Sequence, residues 1–265
     1  MSTREEPWPQ GTPSWTDLAT TDQDAATAFY RSLFGWEVVD TGEESGHYGM
    51  CMVDGRPVAG IGQIQPGSQA PPAWTTYLSV ENVDTAAESI AANGGTLVMA
   101  PMQIGDQGRM AIAQDPTGAF FGLWEAGKHI GAEVVNQPNS VVWNECMTRD
   151  AARAREFYAA VFGFSYQEVE GADDYVTIRG DGPGGVVGGI GQIGEDLPAD
   201  LPPHWMTYFA VESADSAAAK AAGGGGQVLA PPMDTPFGRL AVIQDPQGAL
   251  FSVMEDTSDN APDQP

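Results

Sequence analysis

The sequence is short of the residues that most often hold metals or cross-link chains. Its 265 residues include two cysteines and three histidines. Cys51 and Cys146 have no metal-ligand spacing, so they read as two buried free thiols, the default in a reducing cytosol. Positive charge is also scarce, with 11 Lys and Arg against 36 Asp and Glu and a net charge of -25. Such a field repels phosphate backbones and anionic bilayers, which argues against nucleic acid or a membrane as partner. The acids read as a solubilising surface and carry no message about substrate charge. No apolar run approaches the roughly 18 residues of a transmembrane helix. The opening stretch MSTREEPWPQGTPSW is acidic, Pro-rich and without the apolar segment of a secretory signal. No G-x-S-x-G, P-loop or C-x-x-C occurs, and the glycine-rich runs at 182–191 and 223–226 read as turns between short strands. What remains is a cytoplasmic globular protein, 42% hydrophobic and 18% charged.

What the sequence does contain is a duplication. The segment GRMAIAQDPTGAFFGLWE at 108–125 returns as GRLAVIQDPQGALFSVME at 238–255, with ten of eighteen positions identical. Asp-Pro-x-Gly is a tight turn: Asp bonds its own backbone, Pro presets φ and Gly supplies positive φ. Strand-forming residues flank it, so each copy predicts a hairpin, and a hairpin recurring 130 residues later predicts two equivalent halves.

The rest of the chain fits that division. The spacing predicts a strand at 13–19, a helix at 24–34 stopped by Gly35, and short strands near 36–39, 48–53 and 58–63. A linker at 66–73, a strand at 74–80 and a helix at 83–93 lead to a strand at 96–100 and then the hairpin. The second half repeats the order: VVWNECM at 141–147, a helix at 150–162, WMTYFAV at 205–211 answering WTTYLSV at 74–80, and a last helix at 214–222. Residues 1–10 and the tail from Asp256 read as loose.

The D-x-x-A-x-x-FY-x-x-x-FGW segment at 22–36, its partner at 150–164, the strand ends at 80–84 and 211–215, and the DP-x-G hairpins together resemble the glyoxalase / bleomycin-resistance / extradiol dioxygenase (vicinal oxygen chelate) superfamily. Within it the chain is most similar to two-domain actinobacterial members described as hydroxylases, glyoxalase-like antigens or drug-binding proteins. The resemblance implies an α+β fold of four βαβββ modules in two tandem domains, 11–126 and 139–256, with sheets curled around cavities. Modules could pair within each half or across halves.

The superfamily's cavities commonly hold a divalent metal or a bulky small molecule. Its metal positions fall here on Trp15 and Trp143 in the first strands, near Thr75 and Met206 in the second-module strands, and on Gly122 and Ser252, seven residues after each DP-x-G Asp. None is a good ligand, and His47, His129 and His204 fall at no matching place. The expectation is therefore no metal and no cofactor. Glu125 and Glu255 lie three residues late, on the opposite strand face, and read as solvated strand ends.

Strand alternation supplies a different list. With Trp15 facing the cavity, Asp17 and Ala19 do too, matched by Trp143, Glu145 and Met147. Thr75, Tyr77, Met206 and Tyr208 join them, as do Phe120, Gly122, Trp124, Leu250, Ser252 and Met254. Tyr48 and Tyr175 correspond and could add a hydroxyl to either pocket. These side chains could equally be ordinary core. As cavity lining they suit a large, flat, partly apolar ligand, aromatic or polyketide-like, with one carboxylate per half. Asp17 and Glu145 could act as acid or base, orient a ligand hydroxyl, or only pair with a neighbouring strand. Arg109 and Arg239 could hold a ligand oxygen or pair with nearby acids.

Three functions follow. The first is metal-independent binding of a bulky aromatic natural product or drug-like molecule, for resistance by sequestration or as a biosynthetic accessory. The second is an enzyme using Asp17 or Glu145 on a carbonyl or quinone. The third is an antigen-like protein-binding role. The chain would act as a monomer or homodimer.

Overall fold

The computed structural model describes residues 2–172, 174–180, 185–195 and 197–255. In chain order the first half contains β1 (Ser2–Thr3), β2 (Pro13–Thr20), α1 (Gln23–Phe34), β3 (Glu37–Asp40), β4 (Gly49–Val53), β5 (Arg56–Gln63), β6 (Ala73–Ser79), α2 (Val83–Ala92), β7 (Thr96–Ile104), β8 (Gly108–Gln114) and β9 (Phe120–Ala126). After a linker come β10 (Val134–Val135), β11 (Val141–Thr148), α3 (Ala151–Phe162), β12 (Ser165–Glu168), β13 (Tyr175–Arg179), β14 (Val186–Gln192), β15 (His204–Val211), α4 (Ala214–Gly223), β16 (Gln227–Thr235), β17 (Gly238–Gln244) and β18 (Leu250–Glu255). No helix among the described residues is long and apolar enough to cross a membrane.

Each half builds its own sheet, so modules pair within halves. The first sheet runs β3-β4-β5-β2-β6-β9-β8-β7, and the second repeats this as β12-β13-β14-β11-β15-β18-β17-β16, with β1 and β10 added. The seam in each is an antiparallel pair, β2 with β6 and β11 with β15. Helix limits follow local chemistry. Asp22 caps α1 and Asp150 caps α3, each accepting a backbone N–H three residues on, and Gly35 and Gly163 end them in the left-handed conformation.

The halves are joined helix face to helix face, and the two large cores are shared between them. One packs Tyr30, Phe34 and Trp36 of the first half against Phe209, Ala218 and Phe251 of the second. The other packs Ile90, Phe121 and Leu123 against Phe157, Tyr158 and Ile178. Between the two cores lies a small polar centre. Thr16 and Thr207 share a hydroxyl hydrogen bond of 3.2 Å, and the Asn144 carbonyl accepts from Thr76 at 2.9 Å and Thr207 at 3.2 Å.

The repeated motifs meet across this joint. Asp115 Oδ1 accepts the backbone N–H groups of Thr117, Gly118 and Ala119, and Asp245 Oδ1 does the same for Gln247, Gly248 and Ala249. Their other oxygens reach into the opposite half. Tyr30 donates to Asp245 at 2.9 Å and takes a hydrogen bond from Trp74 at 2.9 Å. Tyr158 donates to Asp115 at 3.0 Å and takes one from Trp205 at 2.8 Å. The Asp of DP-x-G, the Tyr of FY and the Trp of W-x-T-Y thus form two buried clasps between halves.

Several expectations need correction. Residues 2–10 are pinned: β1 pairs with β10, and buried Trp8 donates to the Ala132 carbonyl while Ser79 donates to the carbonyl of Trp8. Trp36 belongs to the core rather than to β3, because its ring stacks on Tyr30 and its N–H reaches the Asn139 carbonyl. The strand beginning at Thr96 runs on to Ile104. Glu125 and Glu255 are not solvated ends: each accepts the first backbone N–H of a helix, Val83 at 2.8 Å and Ala214 at 3.0 Å, where the helix dipole favours a carboxylate. His204 opens β15. From Val186 on, the glycine-rich run forms strand β14, because the Tyr175 ring must lie over Gly189. The tail from Asp256 lies outside the described residues.

Candidate functional site

On the concave face of each sheet, opposite the helices, strand alternation places matching side chains. Leu18, Trp74 and Leu78 turn into the shared cores. Their strand neighbours Trp15, Asp17, Thr75 and Tyr77 therefore face the other way, with Asp17 opposite Thr75 and Trp15 opposite Tyr77 in register. The second half repeats the arrangement with Trp143 opposite Tyr208 and Glu145 opposite Met206.

A carboxylate held by two phenols lies at the centre of each cup. Asp17 Oδ2 accepts from Tyr48 at 3.2 Å and Tyr77 at 3.3 Å, and the Trp15 indole N–H donates to the Tyr48 oxygen at 3.0 Å. Glu145 accepts from Tyr175 at 2.7 Å and from Tyr208 at 2.5 Å, and Trp143 donates to Tyr175 at 2.9 Å. The second set is tighter because Glu has one more methylene to reach the phenols. Burial lifts the Asp17 carboxyl to about 7, although hydrogen bonds from Tyr48 and Tyr77 oppose the rise. Burial, then the nearby carboxylates, push the phenols of Tyr48, Tyr77, Tyr175 and Tyr208 well up, so they are donors at neutral pH.

Glycine makes these reaches possible. Tyr48, just before β4, and Tyr175, at the start of β13, must cross β5 and β14 to meet the carboxylates. They do so over Gly60 and Gly189, where a Cβ would overlap the tyrosine ring. This is why a glycine-rich segment is a strand here. Tyr77 likewise lies over Gly122, its register partner on β9. In the second half Tyr208 is paired with Ser252, which is fully buried with no hydrogen-bond partner for its hydroxyl among the described residues.

The remaining expected lining residues divide. Trp124 closes the first cup beside Trp15 and Tyr77, with Met110 and Ile112 packed against them. Met206 is buried, while Met147 and Met254 are half-buried around the second cup. Phe120 does not join: it begins β9 and is 51% exposed. Arg109 and Arg239 are committed elsewhere. Arg109 makes a two-pronged pair with Asp84 at 2.7 and 3.0 Å, and Arg239 one with Asp215 at 2.7 and 3.1 Å.

One cup residue escaped the sequence reading. His129, in the linker between halves, packs edge-on against Trp15 with ring centroids 4.4 Å apart and against Trp124 at 5.4 Å. Burial lowers it to about 4, so it is neutral, and its Nε2 has no partner among the described residues. The duplication could not reveal it, because it lies between the repeats. Its one sequence signal is that it follows Trp124 closely.

The Glyoxalase/Bleomycin resistance protein/Dioxygenase superfamily model matches residues 12–123 and again 128–253. The chain belongs to this superfamily. It is 44% identical over 254 residues to "Putative glyoxylase CFP32" of Mycobacterium tuberculosis, covering 93% of this chain and 95% of that one. It is 37% identical over 263 residues to the anthracycline biosynthesis protein DnrV of Streptomyces peucetius, covering 92% and 93%. Among solved structures, the Mn(II)-bound glyoxalase from Novosphingobium aromaticivorans matches with a TM-score of 0.65 at 16% identity, over 93% of this chain and 83% of that one. The dioxygenase LapB from Pseudomonas sp. KL28 matches at 0.63 and 13%, over 96% of each. Identities this low speak for the fold alone.

The residues present do not fit the superfamily's metal. Trp15 and Trp143 each spend their N–H on a tyrosine. The Tyr77 ring fills the space over Gly122 in which a ligand side chain would have to stand. One carboxylate with two un-ionised phenols is a poor donor set for a divalent ion. Among the described residues no three His, Cys, Asp or Glu side chains gather to hold one.

Proposed function

We propose that this protein binds a bulky, flat aromatic small molecule without a metal, as an accessory in natural-product biosynthesis or in resistance by sequestration. The observation that carries this is the carboxylate held by two tyrosines beside a tryptophan, Trp143, Tyr175 and Tyr208 around Glu145, on a concave sheet face. Aromatic and methionine side chains supply apolar contact, and a fixed carboxylate orients one polar group of the ligand. The relation to a protein named for anthracycline biosynthesis supports an aromatic polyketide as ligand class. We take the domains as 11–126 and 139–256. Titration with a dihydroxyanthraquinone, followed by tryptophan quenching, tests the reading. Saturable binding that survives a chelator is expected. Absence of binding, or binding that vanishes with chelator and returns with zinc or nickel, refutes it.

A second reading rests on Asp17. A carboxyl at about 7 is divided between its acid and base forms at neutral pH, as proton transfer to a carbonyl or quinone requires. Turnover that disappears in Asp17→Asn while binding stays would favour it.

A further inference from the structure

We infer that the two cups have different tasks: the linker occupies the first, and the second, around Glu145, takes a planar ligand that donates a hydrogen bond. This rests on the binding reading above. The linker crosses the mouth of the first cup and is tied there. Trp124 donates to the His129 carbonyl at 2.9 Å, the Ala132 N–H donates to the Ser14 carbonyl at 2.7 Å, and Trp8 donates to the Ala132 carbonyl at 3.0 Å. The His129 ring lies on the indoles of Trp15 and Trp124, which are left 6% exposed. The two indole faces that a flat ring would cover are already covered by the chain, leaving Asp17, Tyr48, Met110 and Ile112 half-buried around them, and the imidazole is kept neutral there. In the second cup the matching Trp143 and Met254, with Met147 and Tyr175, keep open surface, while the carboxylate at the centre is buried.

The polar atoms of that cup also select its ligand. The Trp143 N–H is used by Tyr175, and both phenol protons are used by Glu145. Apart from the fully buried Ser252 hydroxyl, the groups left to a ligand are acceptors. They are the spare lone pairs of the carboxylate and the Tyr208 oxygen. A ring bearing a hydroxyl or an ammonium satisfies them. An anionic ring would lie against a buried carboxylate whose two phenol donors are already taken, and is rejected.

Calorimetric titration of the full chain tests this, with a neutral dihydroxyanthraquinone and an anthraquinone sulfonate as probes. The expected result is one molecule of the first bound per chain and at least about tenfold weaker binding of the sulfonate, the loss of one hydrogen bond to a charged group. Glu145→Gln and, in case that variant misfolds, Tyr208→Phe should each weaken binding by about tenfold or more. His129→Gly, which removes the plug, should raise the ratio to two. Two molecules per wild-type chain, full affinity in both second-cup variants, or a ratio of one in His129→Gly overturns the assignment and leaves the binding reading standing. No binding by the wild-type chain sinks both.

Discussion

Replacing Tyr30 by Phe removes one oxygen from a fully buried site and tests how the halves are held. In the native chain that oxygen gives its proton to Asp245 and accepts the Trp74 N–H, both at 2.9 Å. The ring itself keeps its contacts with Phe34, Trp36 and Phe251, so the change is polar and not a matter of volume. A hydrogen bond to a charged group is worth about 1.5–3 kcal/mol, and a stranded buried N–H costs about 1–3 kcal/mol. The sum, about 2.5–6 kcal/mol, is a large part of an ordinary stability of about 5–15 kcal/mol. Urea unfolding followed by tryptophan fluorescence should show the unfolding free energy lowered by that amount, the midpoint falling in proportion and the slope staying unchanged. Tyr158→Phe should cost somewhat less, because Asp115 retains the Cys146 thiol, 3.8 Å away, as a weak second donor. A loss below about 1 kcal/mol in both variants would refute the clasp as a structural bond between halves.

Two further tests concern the cups. Asp17 and His129 titrate with opposite effect. Asp17 is raised from 3.8 to about 7, so the folded chain binds an extra proton between those values and Asp17 costs stability as pH rises through them. His129 is lowered from 6.5 to about 4, so the unfolded chain binds the extra proton and stability falls as pH drops through that range. Between about pH 4.5 and 6 the two slopes, each up to about 1.4 kcal/mol per pH unit, should cancel in the native chain. Asp17→Asn should then lose stability on acidification and His129→Leu on alkalinisation; parallel slopes in the two variants would refute the shifts. Gly189→Ala should push the Tyr175 ring off Glu145 and cost about 1–3 kcal/mol by overpacking, with probe binding weakened as in Tyr208→Phe; unchanged binding and melting would show that Tyr175 does not cross the strand there.

The fold was legible because its signals are local and come twice. Helix caps at Asp22 and Asp150, stops at Gly35 and Gly163, and alternation along β2, β6, β11 and β15 need only neighbours in sequence to be read. Alternation also placed Trp15, Asp17, Tyr77, Trp143, Glu145 and Tyr208 on one face of each sheet. What the neighbours of those residues would be was not legible. Tyr48 and Tyr175 reach the carboxylates across a strand that the sequence shows only as glycines. Glu125 and Glu255 read as solvent-facing because the helix starts they cap lie 42 and 41 residues away in the chain. His129 and Trp8 were silent for the same reason: their partners come from tertiary closure, with no periodicity to announce them.

The repeated residues that identify the superfamily and the residues that line its cups are different sets, and they do different work here. Asp115, Asp245, Trp74 and Trp205 lie on the helix side of the sheets, where they meet Tyr30 of α1 and Tyr158 of α3, and these polar atoms are used up between the halves. They recur because both halves present the same face to one joint. The opposite face answers to no such constraint. There the halves differ where a ligand would notice: Asp17 against Glu145, Gly122 against Ser252, Trp124 against Met254. A symmetric joint therefore carries two unlike cups. The difference begins with chain connectivity, since one linker must pass between the halves and only the first cup lies at its start. A plug in that cup takes up one of the two cups, but it dries Trp15 and Trp124, which would otherwise leave a broad apolar face open to water.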